Sequence, residues 1–358
     1  MRVRTTIALA LLVGLAGCGA QDSEPAPDEP TSPSSSTSAL GDQPTSEEPS
    51  GATGGTLDAP AVVEPTPAVL EWNDSGVEPG TRDVKGSTWE ALGTADDTAV
   101  DLTSDGGSVT ITAGSGRTIS EVLLSDDWAV VVRQDKAETA PSEVAVVDLA
   151  TGKKGEVVTP PAASGGSWAL TAGDLYYPTY GDDQAYCLAT YALADSNGED
   201  GWCAPDRSGF SGLTASENGV GIMTFDDATP VACRTVNVLD ASGVPQPIEG
   251  PQDCTAWDVA ATADGALWSE VPKPRRQEEA RFLASADGTY FDLGPGSTGS
   301  AVPCGDSVFF VVDPQTGKDP ARLMRWTPAH TLEVAYESAS RGRAFLGEPT
   351  CAGSVLTL

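Results

Sequence analysis

The stretch "LLSDDWAVVV" (123–132) contains a short strand-forming run, a tight polar turn and a second, apolar run. The same pattern returns further along the chain as "LTAGDLYYPT" (170–179), "TASENGVGIM" (214–223), "ATADGALWSE" (261–270), "VPCGDSVFFV" (302–311) and "EPTCAGSVLTL" (348–358). Turn pairs such as Asn218-Gly219 and Asp264-Gly265 tolerate positive φ, and two-residue hairpins prefer them for that reason. The second runs begin 47, 45, 46, 42 and 46 residues apart, so the hairpin repeats at a nearly constant interval.

A second hairpin follows each of the first five stretches. Its copies are "EVAVVDLATGKKGEVV" (143–158), "CLATYALADSNGEDGWC" (187–203), "CRTVNVLDASGVPQPI" (233–248), "ARFLASADGTYFDL" (280–293) and "ARLMRWTPAHTLEVA" (321–335). Each repeat therefore contains four strands, which is typical of one blade of a β-propeller. The sequence predicts an all-β fold of this class over residues 67–358.

The sixth repeat lacks two strands, because residues 343–358 supply only one hairpin. The stretch "AVDLTSDGGSVTIT" (99–112) is similar to "VVDLATGKKGEVV" (146–158) and can supply the other hairpin. This predicts six blades with a two-plus-two closure, which removes two exposed sheet edges. Residues 67–95 then remain as a cap, or as part of a seventh blade in the alternative arrangement.

The repeat architecture resembles that of TolB-like and WD-type bacterial propellers. The resemblance covers most of the folded part and rests on the spacing of the hairpins. The single Trp-Asp pair, Trp257-Asp258, falls on a first strand, whereas the WD family places its pair later in the blade. The resemblance therefore implies the propeller architecture and identifies no site.

The N-terminal stretch "MRVRTTIALALLVGLAG" (1–17) has the features of a signal peptide: Arg2 and Arg4 precede about ten apolar residues. That run is too short to cross a bilayer, which takes about 20 residues. The motif "LAGC" ending at Cys18 resembles the lipobox of bacterial lipoproteins. The resemblance implies cleavage before Cys18 and a diacylglyceryl group on its thiol, whereas a plain secreted protein is the alternative.

Residues 18–66 are rich in Pro, Ser and acidic side chains and contain no Lys or Arg. Such a segment buries too little apolar surface to offset its ordering entropy, so we expect a disordered tether. Together with Cys18, it predicts a protein on the extracytoplasmic face of the cell membrane. Low Lys with high Ala, Gly, Asp and Val is typical of a GC-rich genome, and we expect an actinobacterial source.

The chain is strongly acidic, with 52 Asp and Glu against 20 Lys and Arg and a net charge of -32. A nucleic-acid partner is therefore not expected, because phosphate contacts need a basic surface.

Six cysteines follow Cys18, and an even number outside the cell indicates disulfides. Cys187 and Cys233 begin equivalent strands in neighbouring repeats, and Cys203 and Cys254 end the strands that follow, so we predict the pairs Cys187–Cys203 and Cys233–Cys254. The third predicted pair, Cys304–Cys351, joins the first turns of the last two repeats. Free thiols or a metal cluster are the alternative, although the chain has no CxxC motif.

We predict no catalytic residues, no metal and no cofactor. His330 is the only histidine, and we place it in an outer hairpin turn. No GxSxG, P-loop or Rossmann glycine pattern occurs. The acidic pairs Asp182-Asp183 and Asp226-Asp227 fall in loops, where solvated charges or calcium ligands are both compatible with the pattern.

Several basic residues fall in connections that should share one face of the disc, where they could select an anionic ligand. These residues are Arg117, Arg207, Lys273, Arg275, Arg276, Arg341 and Arg343. Charge balancing among crowded loops is the alternative explanation.

The sequence thus predicts a lipid-anchored propeller that acts as a binding or scaffold module in the cell envelope. It contacts the membrane through the lipid on Cys18, and its partner is an envelope protein or a small ligand. One alternative is a sensor or accessory subunit with a small, anionic ligand in the central funnel. The other is a secreted carbohydrate or lactone hydrolase, a reaction that needs only two carboxylates.

Overall fold

The computed structural model describes residues 59–68, 70–72, 82–228, 232–248, 250, 254–272, 280–342 and 345–358. These residues form 28 short β-strands and one 3-10 turn at Asp182–Gln184. Among them there is no helix long and apolar enough to cross a membrane. The signal peptide predicted for 1–17, and Cys18, lie outside the described residues.

The strands group into six sheets and a final hairpin. Two short strands come first, β1 (Ala61–Val62) and β2 (Thr66–Pro67). Sheet 1 contains β3 (Val84–Lys85), β4 (Glu90–Gly93), β5 (Ala99–Ser104) and β6 (Gly107–Thr112). Sheet 2 contains β7 (Arg117–Leu124), β8 (Trp128–Asp135), β9 (Glu143–Asp148) and β10 (Lys153–Val157). Sheet 3 contains β11 (Ala169–Leu170), β12 (Asp174–Tyr180), β13 (Tyr186–Ala192) and β14 (Asn197–Cys203).

The second half of the chain continues the series. Sheet 4 contains β15 (Gly209–Ser216), β16 (Gly219–Phe225), β17 (Arg234–Leu239) and β18 (Pro245–Pro247). Sheet 5 contains β19 (Ala256–Thr262), β20 (Gly265–Glu270), β21 (Arg281–Ala286) and β22 (Thr289–Pro295). Sheet 6 contains β23 (Val302–Cys304), β24 (Ser307–Val312), β25 (Pro320–Trp326) and β26 (Leu332–Arg341). The terminal hairpin consists of β27 (Thr350–Ala352) and β28 (Val355–Thr357).

Successive strands within each of the six sheets pair antiparallel, and the first strands of neighbouring sheets contact one another. These contacts run in order through β7, β11, β15, β19, β23 and β27, then through β3 back to β7. The last strand of each sheet therefore lies towards the outside, and in sheets 5 and 6 one further strand, β1 or β2, lies beyond it. The order of strands within each sheet follows from the repeated hairpins in the sequence, because short turns force consecutive strands to be neighbours.

The hydrophobic core is divided among the spaces between neighbouring sheets. The middle strands are covered on both sides, so their apolar runs are continuous: β24 reads "SVFFVV" and five of its six residues are buried. Between sheets 5 and 6, the rings of Phe282 and Phe310 stack with centroids 4.2 Å apart. A last cluster lies between sheet 6 and the terminal hairpin, with Leu70, Leu346 and Leu356 packed against it.

The pairing predicted for residues 99–112 is not the one in the structure. Strands β5 and β6 pair with β4, where Leu102 lies opposite Ala91, and not with the terminal hairpin. Residues 84–93, which the sequence left as a cap or as seventh-blade strands, supply the inner half of this sheet. They were missed because β3 has only two residues and β4 only four, too few to show a clear strand pattern.

The segment predicted as a tether over 18–66 includes ordered strands at its end. Strand β1 pairs parallel with β22, and β2 pairs parallel with β26, so they add a fifth strand to sheets 5 and 6. Between them, the amide of Val63 donates to the carbonyl oxygen of Asp292 at 3.0 Å. We call residues 61–67 the strap. Val63 packs against the cluster between sheets 5 and 6, and this apolar contact helps to hold the strap against the two sheets.

Candidate functional site

The alternating strand direction gives the described part of the molecule two faces. Turns that follow the first and third strands of each sheet lie on one face, which we call the turn face. Connections after the second and fourth strands lie on the opposite, loop face. A hydrogen bond of 2.9 Å between Ser87 Oγ and Asp126 Oδ1 joins the first turns of sheets 1 and 2, as this assignment requires.

Eight of the thirteen turns on the turn face, the terminal hairpin included, carry an acidic side chain. All of them are described; they contain no Lys or Arg, and His330 is their only other titratable side chain besides the acidic residues. The acidic residues are Asp105, Asp126, Asp127, Asp195, Glu217, Asp240, Asp264, Asp287 and Asp306. The connections of the loop face carry both acidic and basic side chains, so the turn face differs from the loop face by its lack of Lys and Arg.

The described arginines of the predicted anion site lie at the loop face, and each has a nearby partner. Arg117 forms an ion pair with Glu143, with a nitrogen-to-oxygen distance of 3.0 Å. Arg207 pairs with Asp227. Arg341 donates to the carbonyl oxygen of Lys318. The two ion pairs fit the charge-balance explanation.

The remaining members of the predicted anion site are Lys273, Arg275, Arg276 and Arg343, and they lie outside the described residues.

The two acidic loop pairs differ in their surroundings. Asp182 and Asp183 are exposed and lie in the 3-10 turn. Asp226 accepts hydrogen bonds from the backbone amides of Ala228 and Cys233 at 2.9 and 2.8 Å, and these bonds hold its pKa below the usual value. No group of three or more His, Cys, Asp or Glu side chains arranged to hold a metal occurs among the described residues.

The three predicted disulfides are present. Cys187 lies directly opposite Cys203 in the pairing of β13 with β14, and the two are bonded. The second bond, Cys233–Cys254, spans the loops around sheet 4. The third, Cys304–Cys351, joins β23 to β27 and so ties the terminal hairpin to sheet 6.

His330 lies in the turn between β25 and β26, as predicted, but it is not a free solvent side chain. Its Nε2 is 2.6 Å from Oδ2 of Asp264, in the first turn of sheet 5. Its ring stacks on Trp326 and also contacts the ring of Phe291. The contact therefore links sheets 5 and 6 at the turn face, and no pattern in the sequence indicates it, because the partners are 66 residues apart.

A buried carboxyl in sheet 5 was also not predicted to have a role. Asp258 accepts hydrogen bonds from Ser269 Oγ at 2.5 Å and from the amide of Gly299 at 2.9 Å. Burial raises its pKa to about 6, and these hydrogen bonds oppose the rise. Because Gly299 belongs to the connection into sheet 6, the carboxyl fixes the path of the chain between the two sheets.

A second carboxyl with a raised pKa lies where sheets 1 and 2 come close to the terminal hairpin. Glu121 is on β7, the first strand of sheet 2, and burial raises its pKa. The charge of Arg82 opposes the rise, whereas that of Glu348 adds to it. Arg82 precedes β3 and Glu348 precedes β27, so these three residues mark the place where sheet 1, sheet 2 and the terminal hairpin come together.

The turn face contains a cleft between sheets 4 and 5 with a volume of about 460 Å³. Its apolar lining comes from Val238, Leu239, Pro247, Ile248 and Ala261. Its polar lining comes from Asn218, Asp240, Gln246, Thr262, Asp264, Ser285 and Asp287. The hydroxyl oxygen of Thr262 is buried and has no hydrogen-bond partner among the described residues.

No family model and no curated protein matches this chain. Among solved structures, the β-propeller domain of the Trilobed protease from Pyrococcus furiosus is similar with a TM-score of 0.50 and 13% identity, over 72% of this chain and 84% of that one. The fold is a β-propeller. The all-β propeller predicted from the hairpin repeat is thereby confirmed.

Other solved structures match with lower TM-scores. TolB from Acinetobacter baumannii has a TM-score of 0.42 and 12% identity, over 71% of this chain and 64% of that one. Porphyromonas gingivalis dipeptidyl peptidase 4 has a TM-score of 0.45 and 12% identity, over 68% of this chain and 43% of that one.

Proposed function

We propose that this propeller is a lipid-anchored binding module on the extracytoplasmic face of the cell membrane, where it acts as a scaffold for an envelope partner. The observation that carries the proposal is the course of the strap. It runs along β22 and β26, the last strands of sheets 5 and 6. The described chain therefore enters the propeller at an outer edge, and the strap leaves both faces uncovered.

The disulfides support an extracytoplasmic location. Six cysteines of the described residues form three bonds, including one between strands of different sheets. Structural disulfides persist in oxidising compartments and are rare in the cytosol of mesophiles. The lipobox-like motif at Cys18 and the acidic, Pro-rich segment after it fit the same location.

Binding is favoured over hydrolysis by what the unusual titratable groups contact. The carboxyl of Asp258 is held by Ser269 and Gly299, and His330 is held by Asp264 and stacked on Trp326. These contacts connect sheets 5 and 6. A hydrolase needs such groups aimed at a substrate, either as a nucleophile with its base or as two carboxylates across a cleft.

We also propose how the propeller closes. Sheets 1 to 6 act as the blades, and the terminal hairpin acts as a reduced seventh blade between sheet 6 and sheet 1. Contacts of β27 with both β23 and β3 support this arrangement, as does the Cys304–Cys351 bond.

Detergent phase separation of the full chain tests the anchored location. The mature wild-type protein should enter the detergent phase and begin at Cys18, because two acyl chains hold a protein stably in a membrane. A Cys18→Ser variant should stay in the aqueous phase with its signal peptide uncut by the lipoprotein peptidase. A wild-type protein that stays in the aqueous phase, with an N-terminus other than Cys18, would contradict the proposal.

A further inference from the structure

We propose that β6, the last strand of sheet 1, binds an extended segment of a partner protein as an additional strand, and that an acidic side chain of this segment enters the groove beside β6. This rests on the proposed role as a binding module and deepens it by naming the site and the chemistry of the partner. It does not depend on the lipid at Cys18.

The last strands of the other sheets are protected against pairing with a further strand. In sheets 5 and 6, the strap already covers β22 and β26. The last strands of sheets 2 to 4 contain charged residues or prolines, namely Lys153, Lys154 and Glu156 in β10, Glu199 and Asp200 in β14, and Pro245 and Pro247 in β18. Charges and prolines keep an exposed sheet edge from serving as a template for another chain.

β6 lacks every one of these protections. It reads "GSVTIT" over Gly107–Thr112, without a charge or a proline, and three of its six residues are β-branched Thr or Ile beside one Val. Among the described residues it pairs with β5 on one side and with no strand on the other. The edge of β28 in the terminal hairpin is also open in the described chain, but that strand has only three residues. The edge of sheet 1 is therefore the best template for an added strand.

The backbone of β6 presents hydrogen-bonding groups to its open side. The amide of Ala113 donates to the carbonyl oxygen of Thr98 on the β5 side, and bonded residues alternate along an antiparallel pair. The backbone groups of Thr110 and Thr112 therefore point away from β5. The Nζ of Lys154 agrees with this direction, since it donates to the carbonyl oxygen of Thr110 at 2.8 Å. An added strand would pair with these groups.

A groove with a volume of about 290 Å³ lies beside β6, where sheet 1 faces sheet 2. Its apolar lining comes from Ile111 and Ala145, and its charged lining from Arg133, Lys154 and Glu156. Side chains alternate between the two faces of a strand, so every second side chain of a strand added to β6 would lie on the side of sheet 2. The groove is thus placed to receive one of them.

The charges of the groove favour an acidic side chain. Arg133 forms ion pairs with Glu156 at 2.8 Å and with Glu143 at 3.5 Å. Lys154 forms no ion pair with another described residue, and its Nζ bonds the carbonyl oxygen of Thr110 instead. An amide of the added strand would take over this carbonyl oxygen, and the released ammonium group would pair with an incoming carboxylate.

The strap gives a precedent within the same molecule for the proposed mode of binding. Its strands pair with the last strands of sheets 5 and 6, and Val63 packs against the cluster between those sheets. A segment at β6 would use the same two kinds of contact, backbone pairing with a last strand and a side chain between neighbouring sheets. A second copy of β6 is less suited, because "GSVTIT" has no acidic side chain to place near Lys154.

The test uses the full chain in a non-ionic detergent and a fluorescein-labelled heptapeptide, Ser-Val-Thr-Glu-Val-Thr-Ser, followed by fluorescence anisotropy. Wild-type protein should bind one peptide saturably. Thr110→Pro removes an amide that makes no bond to β5, so it should keep the unfolding midpoint and weaken binding at least about tenfold. Thr110→Val is the matched control, and it should leave affinity within about twofold because it keeps the amide.

Changes in the peptide test the pairing and the charge separately. Two forms of the peptide carry N-methyl groups on alternate residues, and only one set of alternate amides can face β6, so one form should lose binding at least about tenfold while the other keeps it. Replacement of the peptide's Glu by Gln should weaken binding to the wild type about threefold, in keeping with an exposed ion pair. The same replacement should leave binding to Lys154→Gln unchanged.

The proposal is overturned if binding is absent or does not saturate, if Thr110→Pro and Thr110→Val act alike, if the two N-methylated forms bind equally, or if the Gln peptide binds the wild type as well as the Glu peptide does. A dimer of the wild-type chain that Thr110→Pro dissociates, measured by sedimentation velocity without peptide, would assign the edge to a second copy and would also overturn it.

These outcomes are distinct from a failure of the anchored location. A chain that partitions into detergent through Cys18 but does not bind the peptide would overturn the proposal for β6 alone. A chain that binds the peptide as predicted but lacks the lipid would overturn the anchoring alone.

Discussion

The boundary between sheets 5 and 6 and the boundary between sheet 6 and sheet 1 are built differently. The first has stacked Phe282 and Phe310, the Asp258 hydrogen bonds, the His330–Asp264 contact and the strap across its outer side. The second holds the terminal hairpin, whose two strands have three residues each, and a disulfide. Side-chain packing thus holds the first boundary, whereas a covalent bond contributes strongly to the second.

The largest expected loss of stability comes from the better-packed boundary. Phe310→Ala removes a fully buried ring and should lower the free energy of unfolding by about 3–5 kcal/mol. Leu356→Ala in the terminal hairpin removes a partly buried side chain, and we expect a loss of about 1 kcal/mol. Denaturant unfolding of both variants measures the difference. Similar losses of unfolding free energy at the two sites would show that side-chain packing contributes equally to the two boundaries, contrary to the account.

The disulfide at the closure should come next. Replacing Cys304 and Cys351 by Ser opens a connection across 47 residues, for which the chain-entropy estimate is up to about 4 kcal/mol. Replacing Cys187 and Cys203 opens one across 16 residues, with an estimate of about 3 kcal/mol. Thermal unfolding of both double variants provides the matched comparison. A greater loss for the shorter connection would argue against a special role of the closure bond.

A smaller, pH-dependent effect is expected from Asp258. Burial raises the pKa of Asp258 to about 6 in the folded state, whereas the unfolded value is about 3.9. Between these two pH values the folded state keeps a proton that the unfolded state has lost. The free energy of unfolding should therefore fall as pH rises through this window and level off above it. The loss across the whole window should be about 3 kcal/mol.

Asp258→Asn is the matched variant for this pH dependence. It keeps the size of the side chain and an oxygen for Gly299, and it should flatten the curve between pH 4 and pH 6. Chemical unfolding at a series of pH values measures the difference between the two proteins. An unchanged pH dependence in the variant would assign the effect to other groups, such as Glu121.

The smallest effect concerns the strap. Val63 packs against the cluster between sheets 5 and 6, so Val63→Ala should cost about 1 kcal/mol. Val62 is 69% exposed, and Val62→Ala, one residue away, should have almost no effect. Equal effects of the two variants would indicate that the strap does not dock on the propeller as described.

The repeated hairpins and the cysteine pairs could be predicted because both depend on local features. Two-residue turns fix which strands are neighbours, and equivalent positions in adjacent repeats bring Cys187 opposite Cys203. The strap could not be predicted, because β1 and β2 have two residues each and lie in a Pro-rich stretch. The same holds for the inner strands of sheet 1.

The cleft and the His330–Asp264 contact needed the structure for another reason. Their residues come from different sheets, so their proximity depends on how neighbouring sheets pack and not on any spacing in the sequence. The acidic character of the turn face was present in the sequence as Asp and Glu at the hairpin turns. It became visible as one surface only when the strand directions were known.

The central claim is that packing holds the boundary between sheets 5 and 6, whereas the covalent bond holds the boundary between sheet 6 and sheet 1. Hydrogen exchange of the full chain tests it most directly, measured before and after replacement of Cys304 and Cys351 by Ser. The account predicts faster exchange in β27, β28 and β3 of the variant, whereas β20, β21 and β24 keep their protection. Equal acceleration across all sheets, or no change in the terminal hairpin, would contradict it.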